Sequence, residues 1–218
     1  SAEGACLGGK DGVDKAKNRV MKERALPLFP IQAVLFPGGV LSLPVIEARD
    51  LDIVAQIAKD DQALGVVLSE EAPSDTAILG RSAPNIARVG TLVRIEDFDQ
   101  NGQGQLTLMI RAEGKFKILD TFENPNRALI GEIMMVPPEP VIATGPEDAP
   151  LVEVLEHLMA HPAVQFKASQ VDYQTLSSLG GRLAELLPLR NTVRQRMLEI
   201  NDPVTRLSHL EKILDQMQ

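Results

Sequence analysis

Two hydrophobic patterns divide the chain. Up to about residue 136, apolar residues alternate with polar ones or form short runs rich in β-branched residues, which predicts strands. Beyond residue 150, apolar residues recur every three or four positions, as on one face of a helix. The sequence therefore predicts an α+β fold, in which a sheet comes first and a group of helices follows.

Four segments of the first half predict strands beyond the opening apolar stretch. They are 40–45, 64–69, the two arms of a hairpin within 90–119, and 128–136. The hairpin is the clearest, because alternating residues lie on both sides of Asn101 and Gly102. Both residues tolerate the positive φ that a tight turn needs.

Helical spacing appears once in the first half and three times in the second. In the first half, Leu51, Val54, Ile57 and Ala58 share one face at helical spacing. The later helical stripes are Leu151, Leu155, Leu158 and Met159; Leu176, Leu179, Leu183, Leu186 and Leu187; and Val204, Leu207, Leu210 and Leu214. The last of them follows an Asp-Pro pair, which is typical of a helix start.

Composition marks the borders between these parts. Residues 137–150 contain five prolines and predict a linker, because proline neither donates to a strand ladder nor extends a helix. We therefore predict a mostly β part at 21–136 and a helical bundle at 151–218. Residues 1–20 are small, polar and charged, and we expect a leader there, either non-native or flexible.

Charge and cysteine content restrict the partners. The formal net charge is −8, which argues against nucleic acid and anionic membranes, because both need a positive surface. No apolar run approaches the roughly 18 residues of a membrane span. The single cysteine, Cys6, has no partner for an internal disulfide and predicts a reducing, cytoplasmic environment.

Two segments resemble catalytic or ligand sites without completing one. Residues 4–11, GACLGGKD, nearly form a phosphate-binding loop, but Asp11 stands where a hydroxyl residue is needed. His157 and His161 lie four apart on a predicted helix, without the glutamate of a zinc-protease motif. A metal-dependent hydrolase rests on these two histidines alone. We predict no catalytic, cofactor-binding or metal-binding residue, and hence a protein that is not an enzyme.

The end of the last predicted strand carries the candidate binding residues. Methionine adapts its shape and is frequent on surfaces that bind many partners. We therefore single out Met134, Met135 and Val136, with Phe166 in the helical half, as candidate polypeptide-binding residues. The alternative is that strand alternation places one methionine on each side of the sheet, so that one of them belongs to the core.

The order of several short motifs resembles a known family. The opening LPLFPIQAVLFPGGVLSLPV is similar to the start of the N-terminal domain of Lon proteases. The segments VGTLVRI and EGKFKI resemble the family's V-G-T strand and the E-G segment after it. The matching positions at the two ends are Leu26, Pro27, Leu28, Phe36, Pro37, Leu43 and Pro44, and Leu187, Pro188, Leu189, Asp202, Arg206, Leu207 and Leu210.

The resemblance implies a fold and a function. The fold would be a PUA-like β pseudo-barrel with one helix, followed by a helical bundle. Because no ATPase or protease motif is found before Gln218, the resemblance implies a stand-alone, non-catalytic homologue of the part that helps Lon recognise protein substrates. The expected partners are unfolded or disordered polypeptides, with a protease or a second copy of the chain as further candidates.

An alternative function follows from the same fold. A PUA-like domain could bind RNA, and Arg190, Arg194 and Arg196 could form a basic edge on one helix. The acidic composition of the whole chain argues against it.

Overall fold

The computed structural model describes residues 23–45, 48–70, 85–100, 102–164 and 172–217. The first half contains strands β1 (Arg24–Ile31), β2 (Val40–Val45), β3 (Leu64–Leu68), β4 (Val89–Gln100), β5 (Leu106–Glu123) and β6 (Leu129–Met135), with helix α1 (Ala48–Lys59) between β2 and β3. The second half contains a 3-10 turn (Pro146–Asp148) and helices α2 (Ala149–Met159), α3 (Leu176–Leu186), α4 (Asn191–Glu199) and α5 (Pro203–Met217). The predicted α+β fold is confirmed.

The sheet closes on itself through its longest strand. Strand β5 has 18 residues and pairs with β2 and β4 along its first part and with β6 along its last part. Strand β6 also pairs with β1, which pairs with β3, which pairs with β4. Five strands thus form a ring, and β2 lies outside it on β5. Among the strand pairs of the described residues, only β1–β3 is parallel.

The inside of the ring is narrow, and glycines make room for its large side chains. Phe116 is fully buried there. A Cβ atom at Gly65 or Gly90 would lie 2.7 Å or 2.6 Å from Cζ of Phe116, and one at Gly131 would lie 2.7 Å from a methyl carbon of Leu28. Real Cβ atoms do not approach so closely, so these positions need glycine for packing.

Helix α1 covers part of the outside of the ring. It buries Val54 and Ile57 against a cluster that includes Phe29 and Leu43. Leu51 and Ala58, the other two residues of the helical stripe, are exposed, and Leu51 is 39% exposed. With about 100° between successive residues, the buried face centres near Ile57, which turns Leu51 and Ala58 to its margin.

The helices share a core with the ring. Leu155, Leu179, Leu183 and Leu210 are fully buried and pack in one cluster with Phe36. Of the predicted stripe on α5, Val204 is the exception, since it is 51% exposed in the first turn. The predicted helix start is confirmed, because the Asp202 carboxylate accepts hydrogen bonds from the backbone N–H groups of residues 204 and 205.

The proline-rich segment connects the ring to the helices along the surface of both. Residues 136–142 form no helix or strand, and Ala143 makes an isolated bridge to Thr175 at the start of α3. The backbone N–H of Leu176 donates to the carbonyl of Ile142 at 2.8 Å. Among the described residues, no helix is both long and apolar enough to cross a bilayer.

Candidate functional site

A buried ion pair on α3 holds the proline corner that follows β1. The backbone N–H of Phe36 donates to Oε1 of Glu185 at 2.8 Å, and Nη2 of Arg182 donates to the carbonyls of Phe36 and Pro37, each at 3.2 Å. Arg182 and Glu185 are joined at 3.0 Å. Burial raises the pKa of Glu185, against the opposing charge of Arg182. The corner is thereby fixed to the helical half.

A second ionic cluster joins three parts of the fold. Glu139, in the proline-rich segment, accepts a hydrogen bond from Nζ of Lys115 on β5 at 2.8 Å and binds Arg206 of α5 through both guanidinium NH2 groups, one at 2.9 Å. The hydroxyl of Ser177 on α3 also donates to it, at 2.6 Å. Burial alone would raise the pKa of Glu139, but these hydrogen bonds outweigh it and lower the pKa to about 2.

The protein itself occupies the donors of the two cations. The other two N–H groups of Lys115 donate to the carbonyls of Leu198 and Ile200, at 3.0 and 3.2 Å. Arg206 donates from Nε to the carbonyl of Met197 at 2.9 Å and from Nη2 to that of Ile200. Burial lowers the pKa of Lys115, although Glu139 opposes this. The cluster is therefore a structural clamp and not a ready anion site.

A cavity of about 490 Å³ lies over this clamp, between the ring and the helices. Its walls are mostly apolar and include Met135, Val136, Pro140 and Val141. Val141 is 87% exposed at the edge of the cavity. On one side, the wall also contains three hydroxyl residues from the start of α3, which are Thr175, Ser177 and Ser178. The arrangement suits an apolar side chain flanked by backbone amides.

The structure describes three of the four residues singled out from the sequence, and it separates Met134 from the other two. Met135 and Val136 are half-buried and line the cavity. Met134 is also half-buried, but it precedes Met135 on the same strand and points to the other face of the sheet. Phe166 lies outside the described residues. The sequence-based alternative of one methionine on each side therefore matches the strand geometry.

The ionic clusters were missed by sequence reasoning. Lys115 stands inside a strand segment, Glu139 stands between prolines, and the two are 24 positions apart. Arg206 is 67 positions further along. The one available signal was that Arg206 matched the family's final helix motif, which gives its position and not its partner.

The basic edge proposed for RNA binding is wrong. Arg194 turns inward and donates from Nε to the carbonyl of Ala184 at 3.1 Å and from Nη2 to that of Leu187 at 2.8 Å. Burial lowers the pKa of Arg194. Arg190 and Arg196 remain exposed, but the three guanidinium groups do not form one surface.

The two histidines of α2 and the turn after it make local contacts. Nδ1 of His157 lies 2.8 Å from the carbonyl of Glu153, and Nδ1 of His161 accepts from the backbone N–H of Ala163 at 3.2 Å. Within the described part of the chain, no three or more His, Cys, Asp or Glu side chains are grouped so as to hold a metal ion.

Sequence comparison identifies relatives over most of the chain. The family described as the ATP-dependent protease La (LON) substrate-binding domain matches residues 25–216. The Lon protease of Bacillus thuringiensis is 26% identical over 203 residues, which cover 90% of this chain and 25% of that protein. The Lon protease of Cytophaga hutchinsonii is 26% identical over 199 residues, 88% of this chain and 24% of that protein. The chain thus spans about a quarter of the length of these relatives.

Solved structures agree in fold. The Lon N-terminal domain protein from Xanthomonas campestris superposes with a TM-score of 0.67 and 32% identity, over 87% of this chain and 98% of that one. The N-terminal domain of a Mycobacterium avium complex Lon protease has a TM-score of 0.61 at 20% identity, which is a likeness of fold, over 86% of this chain and 96% of that one. The chain belongs to the family of Lon substrate-binding domains.

Proposed function

We propose that this domain binds unfolded or disordered segments of polypeptide in the cavity over the Lys115–Glu139–Arg206 clamp, and that it performs no catalysis itself. The observation that carries the proposal is an apolar cavity, with Met135 and Val136 in its wall, in a chain of a substrate-binding family. The matched part of the relatives is their substrate-binding domain, which supports a non-catalytic role.

The cavity has the size and chemistry for this task. At about 490 Å³ it lies within the usual range of ligand pockets, about 300–1,000 Å³. Each Å² of apolar surface that it removes from water contributes about 25 cal/mol. The cations beneath it are already paired, so a charged side chain would lose its hydration without gaining a partner. The proposal therefore predicts a preference for uncharged, apolar side chains.

The finer architecture and setting belong to the same proposal. We describe residues 21–136 as a PUA-like pseudo-barrel, 137–150 as a linker and 151–218 as a helical bundle, and the closed ring of five strands supports the first of these. We place the protein in the cytoplasm on the basis of its single cysteine. A protease, or a second copy of the chain, is the further partner that the family suggests.

The test is the binding of a labelled, permanently unfolded protein. Fluorescein-labelled, reduced and carboxymethylated α-lactalbumin is titrated with the full chain, and anisotropy gives Kd. Val141→Asp puts a charge at the edge of the cavity and should weaken binding at least about fivefold, because the carboxylate must lose hydration on contact. Val204→Asp makes the same change at an exposed position of α5 outside the cavity lining and should leave Kd within about twofold.

Two outcomes would overturn the proposal. One is the absence of saturable binding to the unfolded protein. The other is an equal effect of the Val141 and Val204 substitutions, which would show that the probe responds to net charge. Saturable binding of a labelled single-stranded RNA, without binding of the polypeptide, would favour the alternative function instead.

A further inference from the structure

The outer face of strands β5, β6 and β1 carries a row of apolar side chains that helix α1 does not cover. Phe122 of β5 is the register partner of Ile130 of β6, and Ile130 is the partner of Pro27 of β1. Register partners project from the same face of a sheet. Phe122 is 45% exposed, and Ile130 and Pro27 are half-buried. An exposed aromatic residue thus begins a row that leads towards α1.

A row of exposed carboxylates lies next to the apolar row on the same face. Asp120 is the register partner of Glu132, and Glu132 is the partner of Ala25. The Glu132 side chain makes no hydrogen bond or ion pair within the described residues, and Asp120 accepts only from the adjacent backbone N–H of Thr121, at 2.8 Å. Two residues of a strand span about 6.8 Å, which sets the distance between the rows.

The next row contains Met134 and its register partner Lys117. Along β6 the outer face therefore reads apolar, acidic, apolar, at Ile130, Glu132 and Met134. Met134 does not line the cavity, and it belongs to this outer face of the sheet.

A groove of about 690 Å³ continues the apolar row between the sheet and α1. Pro27 and Ile130 form one side of it, and Ile53 and Ile57 of α1 form the other. Asp52 adds a further carboxylate at the α1 side. The face therefore combines exposed apolar area, a groove and three carboxylates, against one lysine, Lys117.

This pattern selects a partner by charge. A nucleic acid or an anionic membrane would be repelled by the carboxylates, and an acidic peptide would meet like charges. A segment with a lysine or arginine between two large apolar side chains would place its cation against Asp120 and Glu132 and its apolar groups over Phe122 and Met134. We propose that this face is a second docking surface, separate from the cavity, and that it binds basic amphipathic segments of polypeptide.

The test uses two synthetic peptides of equal length, labelled with fluorescein. Both repeat leucine, serine, a charged residue and serine, so that each leucine and each charged residue lie two positions apart and project from the same face of an extended segment. The charged residue is lysine in one peptide and glutamate in the other. The full chain should bind the lysine peptide and not the glutamate peptide. The double substitution Asp120→Lys and Glu132→Lys should weaken binding of the lysine peptide at least about tenfold, because two attractive contacts become repulsive. Phe122→Ala should weaken it about threefold or more, since exposed apolar area is removed.

Matched variants separate a defined face from general attraction to an acidic protein. Asp99→Lys with Glu211→Lys changes the net charge by the same amount at two exposed positions outside this face and should leave Kd within about twofold. Val141→Asp, at the cavity, should also leave it unchanged. An equal loss in both charge-reversed proteins, or no binding of the lysine peptide, would overturn the proposal. Failure of this test leaves the binding of carboxymethylated α-lactalbumin at the cavity intact.

Discussion

Removing the charge of Glu139 should destabilise the whole domain. The fall in the pKa of Glu139 from its ordinary 4.5 to about 2 corresponds to about 3 kcal/mol of stabilisation, since each pKa unit is worth about 1.4 kcal/mol. This figure agrees with the usual effect of removing one partner from a buried ion pair, which lowers the stability of a protein by about 3–5 kcal/mol. Glu139→Gln should therefore lower the free energy of unfolding at pH 7 by about 3 kcal/mol.

The assay is urea unfolding followed by circular dichroism. Glu113→Gln is the matched control, because Glu113 forms an exposed pair with Arg94 and should contribute less than about 1 kcal/mol. Adding Lys115→Met to Glu139→Gln should restore part of the stability, since it removes a buried cation left without its carboxylate. A loss below about 1 kcal/mol for Glu139→Gln would refute the clamp.

The same clamp predicts a pH dependence. The pKa of Glu139 is lower in the folded protein than in the unfolded chain, so its contribution is present above about pH 4.5 and disappears as the pH falls towards 2. The difference in stability between the wild type and Glu139→Gln should therefore shrink across this range. A difference that stays constant from pH 6 to pH 2.5 would contradict the assignment.

Two further substitutions test the packing. Gly90→Ala should lower the free energy of unfolding by at least about 1–3 kcal/mol, because its Cβ would lie 2.6 Å from Cζ of Phe116. The control is Gly102→Ala, whose Cβ would have no atom within 4 Å and which should lower it by less than about 1 kcal/mol. Urea unfolding measures both. Leu183→Ala, in the core shared by ring and helices, should lower the free energy of unfolding by about 2–5 kcal/mol, and both parts of this variant should unfold in one transition. The control is Leu51→Ala, at a 39% exposed position, which should lower it by less than about 1 kcal/mol. Separate transitions for strands and helices in Leu183→Ala would contradict a shared core.

Local signals were sufficient for the elements and insufficient for their arrangement. The β4–β5 hairpin could be predicted because its alternation and its turn lie within thirty consecutive residues. The closure of the ring could not, because it depends on β5 pairing with three strands, and bulges shift its register near Ile95 and Ile118. Periodicity grouped Leu51 with Val54 and Ile57, but spacing alone does not fix where the centre of the buried face lies, and Leu51 is exposed.

The candidate site shows the same limit. A strand predicts that Met134 and Met135 face opposite ways, but only the packing of the proline-rich segment shows that Met135 meets a cavity. Arg194 resembled a surface residue because its inward hydrogen bonds go to backbone carbonyls, which no sequence pattern reveals. The sequence also could not predict the pairing of Glu139 with Lys115 and Arg206, because ion pairs depend on distances in the folded protein.

The most direct test of polypeptide binding in the cavity uses these two methionines as adjacent probes. The chain is labelled with 13C at its methionine methyl groups, the signals are assigned with Met134→Leu and Met135→Leu, and unlabelled carboxymethylated α-lactalbumin is added. Its acidic character keeps it from the outer face that carries Met134. The account predicts a saturable shift of the Met135 methyl signal and an unchanged Met134 signal. A shift at Met134 alone, or binding that moves neither signal, would contradict it.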